Sequence, residues 1–294
     1  MDKARIFIVG AGGFLGGRAA REAKNSFEVF TGSRKPATEA GSVQIDITDA
    51  ASVDAAFQRV RPDAVLMLAA LSDIDQCQAR PEEAHAINVR GPENVVNACV
   101  LSGARLLFTS SAAVFDGNKH GYAEDDTPSP GSVYGETKAL AEAAVLALLP
   151  SAIVVRIALA IGFAGKAGTN AMMDNLAARW ASGSAVASPT FEFRNPIDAG
   201  TLSRWMLQLL RSEDAVGFFH AGAKESVSRY DLNAKLARRM GYSGDLVQPQ
   251  TAPTPGRAPR GKDHYLMTGR LQAVCKISIP SCDEVIERSF DEAA

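Results

Sequence analysis

Residues 5–16, RIFIVGAGGFLG, run from an apolar strand pattern straight through a glycine turn into a helix-forming stretch. Gly10, Gly13 and Gly16 recur every third residue, with Gly12 between them. Glycines at such a turn remove the side chains that would keep backbone away from a pyrophosphate. The helix that follows offers unpaired N–H groups and the positive end of its dipole. Gly10, Gly12, Gly13, Phe14, Leu15 and Gly16 are therefore the expected cradle of a dinucleotide, and the chain that carries them is expected to be α/β.

The next 150 residues repeat the same alternation. FEVFTGS (27–33), SVQIDI (42–47), AVLMLAA (64–70), RLLFTSS (105–111) and AIVVRIAL (152–159) read as strands. AVLMLAA and RLLFTSS lack polar alternation and suit strands buried on both faces. DAASVDAAFQRV (49–60) places Val53, Ala56, Phe57 and Val60 on one helical face. Residues 81–103 are helical in pattern with a Gly-Pro interruption at 91–92, where a kink or boundary is expected. YGETKALAEAAVLALL (134–149) is a further helix. Strands alternating with helices imply a Rossmann-type doubly wound parallel sheet over 1–160. A segment near 195–221 is expected to return to it, and 161–294 to form mainly a smaller α/β substrate lobe. In that lobe 161–170 reads as a loop, 172–183, 200–212 and 228–241 as helices, 216–222 as a strand, and 248–261 as a Pro/Gly/Arg-rich arm.

Composition narrows the partners. A net charge of −2, with 22% charged residues, gives no general affinity for nucleic acid or an acidic membrane. The apolar run at the start is too short for a signal-peptide core and no run approaches a membrane span, so a cytoplasmic protein is expected. The four cysteines form no Cys-x-x-Cys pair and read as reduced, buried thiols; the four scattered histidines show no metal-ligand spacing, so no metal is expected.

The end of the second strand bears on the cofactor. TGSRKP (31–36) has no acidic residue to grip the 2′-hydroxyl of NAD. Ser33, Arg34 and Lys35 could instead neutralise a 2′-phosphate, favouring NADPH with NAD possible, although two solvated surface cations would look the same. Asp46, followed by Ile47, could take the adenine amino group or could cap a loop. Ala69 and Ala70 end the fourth strand with side chains small enough for a ribose and pyrophosphate to lie close.

Sixteen residues after the TSSAAVFDG stretch (109–117) ends comes VYGETK (133–138). Tyr134 and Lys138 share a helical face. A tyrosine titrates near ~10, so bringing it to neutrality needs roughly 4 kcal/mol, which a close ammonium in a dry site can largely supply. Ser111, at the strand end, would orient a substrate oxygen, with Ala112 beside it. The three form an expected proton-relay site: Ser111, Tyr134 and Lys138, with Tyr134 and Lys138 also reaching the cofactor. The loop between the two motifs is expected to wall a substrate cleft. Arg194, Arg257 and Arg260 are candidates for a nucleotide diphosphate, since guanidinium forks suit phosphate oxygens.

GAGGFLG, LAA (68–70), INVRG (87–91), TSSAAVFDG and YGETK stand in the order and spacing of the extended short-chain dehydrogenase/reductases, which the chain resembles over at least residues 4–245. VFDG (114–117), the run from Pro130 and RNPIDAGTLS (194–203) resemble the dTDP-4-dehydrorhamnose reductase branch most. The resemblance implies NAD(P)-dependent reduction of a keto group on a nucleotide-activated sugar, with Ser111, Tyr134 and Lys138 catalytic. It also implies a place near the cofactor for Asn88. Two other readings stand beside it: a nucleotide-sugar epimerase or dehydratase, and a non-catalytic NADP-binding subunit like the methionine adenosyltransferase β-subunit, which is similar to this branch. A homodimer through the helices at 81–101 and 134–149 is possible.

Overall fold

In the computed structural model, which describes residues 3–36, 39–164 and 172–291, seven parallel strands form one sheet. These are β1 (Arg5–Val9), β2 (Glu28–Ser33), β3 (Ser42–Gln44), β4 (Ala64–Met67), β5 (Arg105–Ser111), β6 (Ile153–Ile157) and a seventh, Gly217–Ala221. From one edge to the other they run β3, β2, β1, β4, β5, β6, Gly217–Ala221. The order reverses between β1 and β4, and an open α/β sheet binds ligands in the crevice at such a point.

Side-chain alternation builds a core on each face. Ile6, Ile8, Leu66, Leu107, Ile153 and Val155 point to one side, and Phe7, Val9, Val65, Met67, Leu106, Phe108 and Val154 to the other. The first side is covered by α1 (Phe14–Ala23) and the helix Ala199–Arg211. Helix α1 turns Gly16, Ala19 and Ala23 inward, small residues that let its neighbour come close. The opposite side is covered by α2 (Ala50–Val60), α5 (Gly91–Ser102) and α6 (Val133–Leu148). Asp49 caps α2 by accepting from the Ala51 N–H, and Ser132 caps α6 by accepting from the Gly135 N–H.

Between β4 and α5 lie α3 (Ile74–Ala79) and α4 (Pro81–His85), then a five-residue π-helix, Ala86–Arg90. The expected interruption at 91–92 takes this form. Pro92 has no N–H for the carbonyl of Asn88, and its ring crowds that carbonyl, so the preceding turn widens. The Gly91 N–H bonds to the Ala86 carbonyl, five residues back.

The remainder of the chain continues the first core rather than starting another. Met173, Trp180, Leu232, Leu236, Leu271 and Val285 join the cluster that holds Ile6 and Leu66. Short ladders tie this part together: Leu159–Ile161 with Pro196–Asp198, Val186–Pro189 with Val247–Gln250, and Phe193–Arg194 between Val227–Ser228 and Asp263–His264. The expected loop at 161–170 falls partly outside the described residues. The four cysteines are free and buried. Among the described residues no helix is long and apolar enough to cross a membrane.

Candidate active site

Gly10 stands at φ +96°, and a Cβ there would lie 2.6 Å from the Ala69 backbone nitrogen. A Cβ on Gly16 would run into the Gly10 carbonyl. These two glycines let β1, the post-β4 segment and α1 meet at the switch point. Gly12 and Gly13 are exposed, a Cβ on either would make only ordinary contacts, at 3.8 Å to Ser33 Cβ and 3.5 Å to the Gly10 carbonyl, and Gly13 begins α1 without a side-chain cap. An N-terminal turn with free N–H groups, in a crevice a side chain would obstruct, suits a pyrophosphate. Phe14 and Leu15 are half-buried, and Leu15 packs on the core. Ala69 is half-buried and Ala70 exposed.

At the end of β2, Arg34 and Lys35 are exposed. Their backbones are held: the Ser33 hydroxyl donates to the Lys35 carbonyl (3.5 Å) and Gln44 Nε2 to the Arg34 carbonyl (3.1 Å). Asp46 accepts from the N–H and the hydroxyl of Thr48, at 2.9 and 2.7 Å, which holds its carboxyl below the usual range. Of its two expected roles, the loop cap is the one its contacts make. Ile47 is a correction. Its side chain is buried against Gly91 and its carbonyl accepts from Asn94 Nδ2 (2.9 Å), so it supports α5 from within the core.

Ser111 closes β5 and Tyr134 opens α6, which brings the Ser111 hydroxyl next to the Tyr134 phenol. The Ser111 hydroxyl also accepts from the Ala113 N–H (3.1 Å). Gly135 allows this approach, because a Cβ there would collide with the Ala113 carbonyl. Lys138, one turn on, is 2% exposed. Its Nζ donates to the Thr109 carbonyl (2.7 Å) and lies 4.0 Å from the centre of the Phe108 ring. Electrostatics differ from the expected pattern. Burial pushes Tyr134 up to about 12, opposed by the nearby Ser111 side chain, and pushes Lys138 down to about 7, opposed by Glu142. With its ammonium turned to Thr109, Lys138 does not hold Tyr134 near neutrality. The protein's own groups keep the phenol protonated.

Asn88 is a second correction. It is fully buried. Its Oδ1 accepts from the Leu71 N–H (2.8 Å), and its Nδ2 donates to the Leu71 carbonyl (3.0 Å) and the Thr137 hydroxyl (3.2 Å). The π-turn aims it inward, where it clamps the post-β4 segment to α6 beneath the site instead of lining it.

Beside Ser111 lies a small cavity of about 70 Å³, lined among others by Ile74, Ala113, Phe115, Arg194, Arg260 and His264. Ala112 is a third correction: 1% exposed, it packs with Val114, Phe115, Tyr122 and Leu266, and Ala113 takes the cavity position. Arg194 is buried and donates to the carbonyls of Phe193 (2.6 Å), Gly261 (3.0 Å) and Lys262 (3.5 Å). Arg260 forms a bidentate pair with Asp75, and Arg257 lies 3.5 Å from the same carboxylate.

The family described as "RmlD substrate binding domain" matches residues 4–294. The chain belongs to this family. The RmlD family falls within the extended short-chain dehydrogenase/reductases. Among similar proteins, a "dTDP-4-dehydrorhamnose reductase" of Mycobacterium tuberculosis is 32% identical, over 87% of this chain and 82% of that protein. A "Methionine adenosyltransferase 2 subunit beta" of Xenopus tropicalis is 28% identical, over 92% and 82%. The crystal structure of dTDP-4-dehydrorhamnose reductase from Bacillus anthracis in complex with NADP superposes with a TM-score of 0.89 at 26% identity, covering 99% of both chains.

Within this RmlD-family fold, sequence reasoning missed the residues that close the cavity from a distance. His264 is buried, and its Nε2 lies 3.0 Å from the Phe115 carbonyl. Asp75 meets an arginine 185 residues away. Neither carries a local sequence signal.

Proposed function

We propose that this protein uses NADPH to reduce the keto group of a nucleotide-activated sugar, as an oxidoreductase of the extended short-chain type. The observation that carries the reading is the placement of the Ser111 hydroxyl next to the Tyr134 phenol, where β5 ends beside both the switch-point crevice and the cavity. Gly12 and Gly13 would hold the cofactor pyrophosphate, Arg34 and Lys35 its 2′-phosphate, and Lys138 its ribose. NADPH, when bound, supplies the hydride. Ser111 positions the carbonyl oxygen, and Tyr134 gives it a proton as it becomes an alcohol. A phenol held near 12 keeps its proton at neutral pH, and the nascent alkoxide is a far stronger base, so the transfer runs towards reduction. The likeness to dTDP-4-dehydrorhamnose reductases supports a deoxynucleoside-diphosphate keto sugar as substrate.

The test is NADPH consumption with a dTDP-4-keto-6-deoxy sugar. Turnover by the wild type, reduced by about 10²–10⁴-fold in Tyr134→Phe, is the expected result. Undiminished turnover in that variant removes Tyr134 from the reaction. The similarity to methionine adenosyltransferase β-subunits supports a second, non-catalytic reading, for which nucleotide binding without turnover of any keto sugar would speak.

A further inference from the structure

Residues 251–260 of the Pro/Gly/Arg-rich arm (248–261) lead up to the cavity, which Pro259, Arg260 and Gly261 line, and residues 251–257 are all exposed. Among the described residues, every hydrogen bond and ion pair it makes outside itself and its flanking strand ends on one side chain, Asp75 of α3. Asp75 Oδ1 accepts from the Ala258 N–H (2.9 Å) and Arg260 Nη1 (3.1 Å). Its Oδ2 accepts from Arg260 Nη2 (2.8 Å) and faces Arg257 Nε at 3.5 Å. Ile74, the neighbour of Asp75, lines the cavity together with Pro259, Arg260 and Gly261. The carboxylate thus sits at the cavity rim and presents two oxygens to an arginine fork, the arrangement a phosphoryl group also offers.

The surroundings have positive charge to spare. Arg194 and Arg229 face the same region, with Glu192 and Asp263 as nearby acids. Arg229 Nη1 is buried with no hydrogen-bond partner, and burial together with repulsion from Arg194, Arg257 and Arg260 pulls Arg229 down to about 10. One more anion would relieve both conditions.

We propose that Asp75 is a specificity-determining residue that holds Arg257 and Arg260 as a surrogate for substrate phosphate, so that binding a nucleoside diphosphate exchanges carboxylate for phosphate on the same guanidinium groups. The inference rests on the nucleotide-sugar reading above. Its consequence is a threshold: a neutral or singly charged carbonyl compound leaves the Asp75 pair intact, whereas a diphosphate competes for it. An arm held in place beforehand also loses less freedom when the ligand binds.

Thymidine diphosphate is the probe, measured by calorimetry on the full chain. Asp75→Asn keeps an acceptor for Ala258, removes the charge and replaces the oxygen that accepts from Arg260 Nη2 with a donor. It is expected to bind thymidine diphosphate about tenfold more tightly than the wild type, with Arg260→Gln cancelling that gain in the double variant. A gain that persists unchanged in the Arg260→Gln background is a general field effect and overturns the exchange. Binding by the wild type with no gain in Asp75→Asn overturns the exchange and leaves the nucleotide-sugar reading standing. No binding by either protein overturns both. Limited trypsin digestion gives a ligand-free readout: Asp75→Ala should be cut faster after Arg257 than the wild type, and unchanged cutting would mean that Asp75 does not hold the arm.

Discussion

Arg156 and Glu142 form a bidentate ion pair inside the protein, Nε to Oε1 at 2.9 Å and Nη2 to Oε2 at 2.8 Å, with both side chains no more than 2% exposed. Glu142 is one helical turn beyond Lys138. Arg156 also donates to the Glu124 carbonyl (3.3 Å), and its guanidinium lies 4.9 Å from the Phe115 ring centre and 4.1 Å from that of Phe218. One side chain therefore joins α6, β6, the seventh strand and the cavity wall. Removing one member leaves the other charged, buried and unpaired, which costs about 3–5 kcal/mol. Arg156→Met should lose that much stability in urea unfolding, and Arg156→Met combined with Glu142→Leu should lose clearly less. Equal losses would mean that packing, not charge, sets the cost.

Gly135 sets the distance between the two motifs of the site. A Cβ there would meet the Ala113 carbonyl and come within 3.1 Å of Pro130 Cβ, so α6 must back away from Ser111. Gly135→Ala should lower kcat by about tenfold or more while NADPH affinity changes little, because a small misplacement of reacting groups is enough. Steady-state kinetics with separate titration of NADPH and sugar check this. A fall in NADPH affinity alone would place the effect at the cofactor crevice.

How much of this was legible in the sequence depends on the range of the interaction. The sheet was, because β4 and β5 are apolar on both faces and each lies between helical patterns. The helix face of Val53, Ala56, Phe57 and Val60 was, because its period is local. Ile47 and Ala112 were misread because a one-residue step in a strand or tight turn reverses the direction of a side chain. The Asn88 contacts depend on a π-turn that Pro92 imposes four residues later. Asp75 and His264, and the pairing of Arg260 with Asp75, were beyond sequence reasoning because the partners are more than a hundred residues distant.

The exposed Arg34 and Lys35 at the end of β2 make cofactor choice separable from folding. Arg34→Ala/Lys35→Ala removes two charges whose side chains the core does not need. KM for NADPH should rise about 10–100-fold, in line with losing charge-assisted contacts to a 2′-phosphate, and KM for NADH should stay within about twofold. Unchanged NADPH kinetics would identify the pair as solvated surface cations.

Acid should weaken the fold through two buried imidazoles. Burial, helped by Arg156 at His220 and by Arg194 at His264, pulls each down from 6.5 to about 3. Between those values the unfolded chain binds a proton at each histidine that the native protein refuses. Their contribution is therefore complete above pH 6.5 and is lost as pH falls towards 3, at up to ~1.36 kcal/mol per pH unit for each. His264→Gln keeps an N–H that can reach the Phe115 carbonyl and cannot take up that proton. At pH 7 the variant should be less stable than the wild type, by about 1 kcal/mol for imperfect packing. At pH 4.5 the wild type should have lost about 2–3 kcal/mol at this position that the variant does not lose, so the order of stabilities reverses. Urea unfolding at the two pH values decides the matter. Parallel stability losses in both proteins would show that His264 takes up its proton in the native state near the ordinary pH, and that its cavity is wetter than its burial implies.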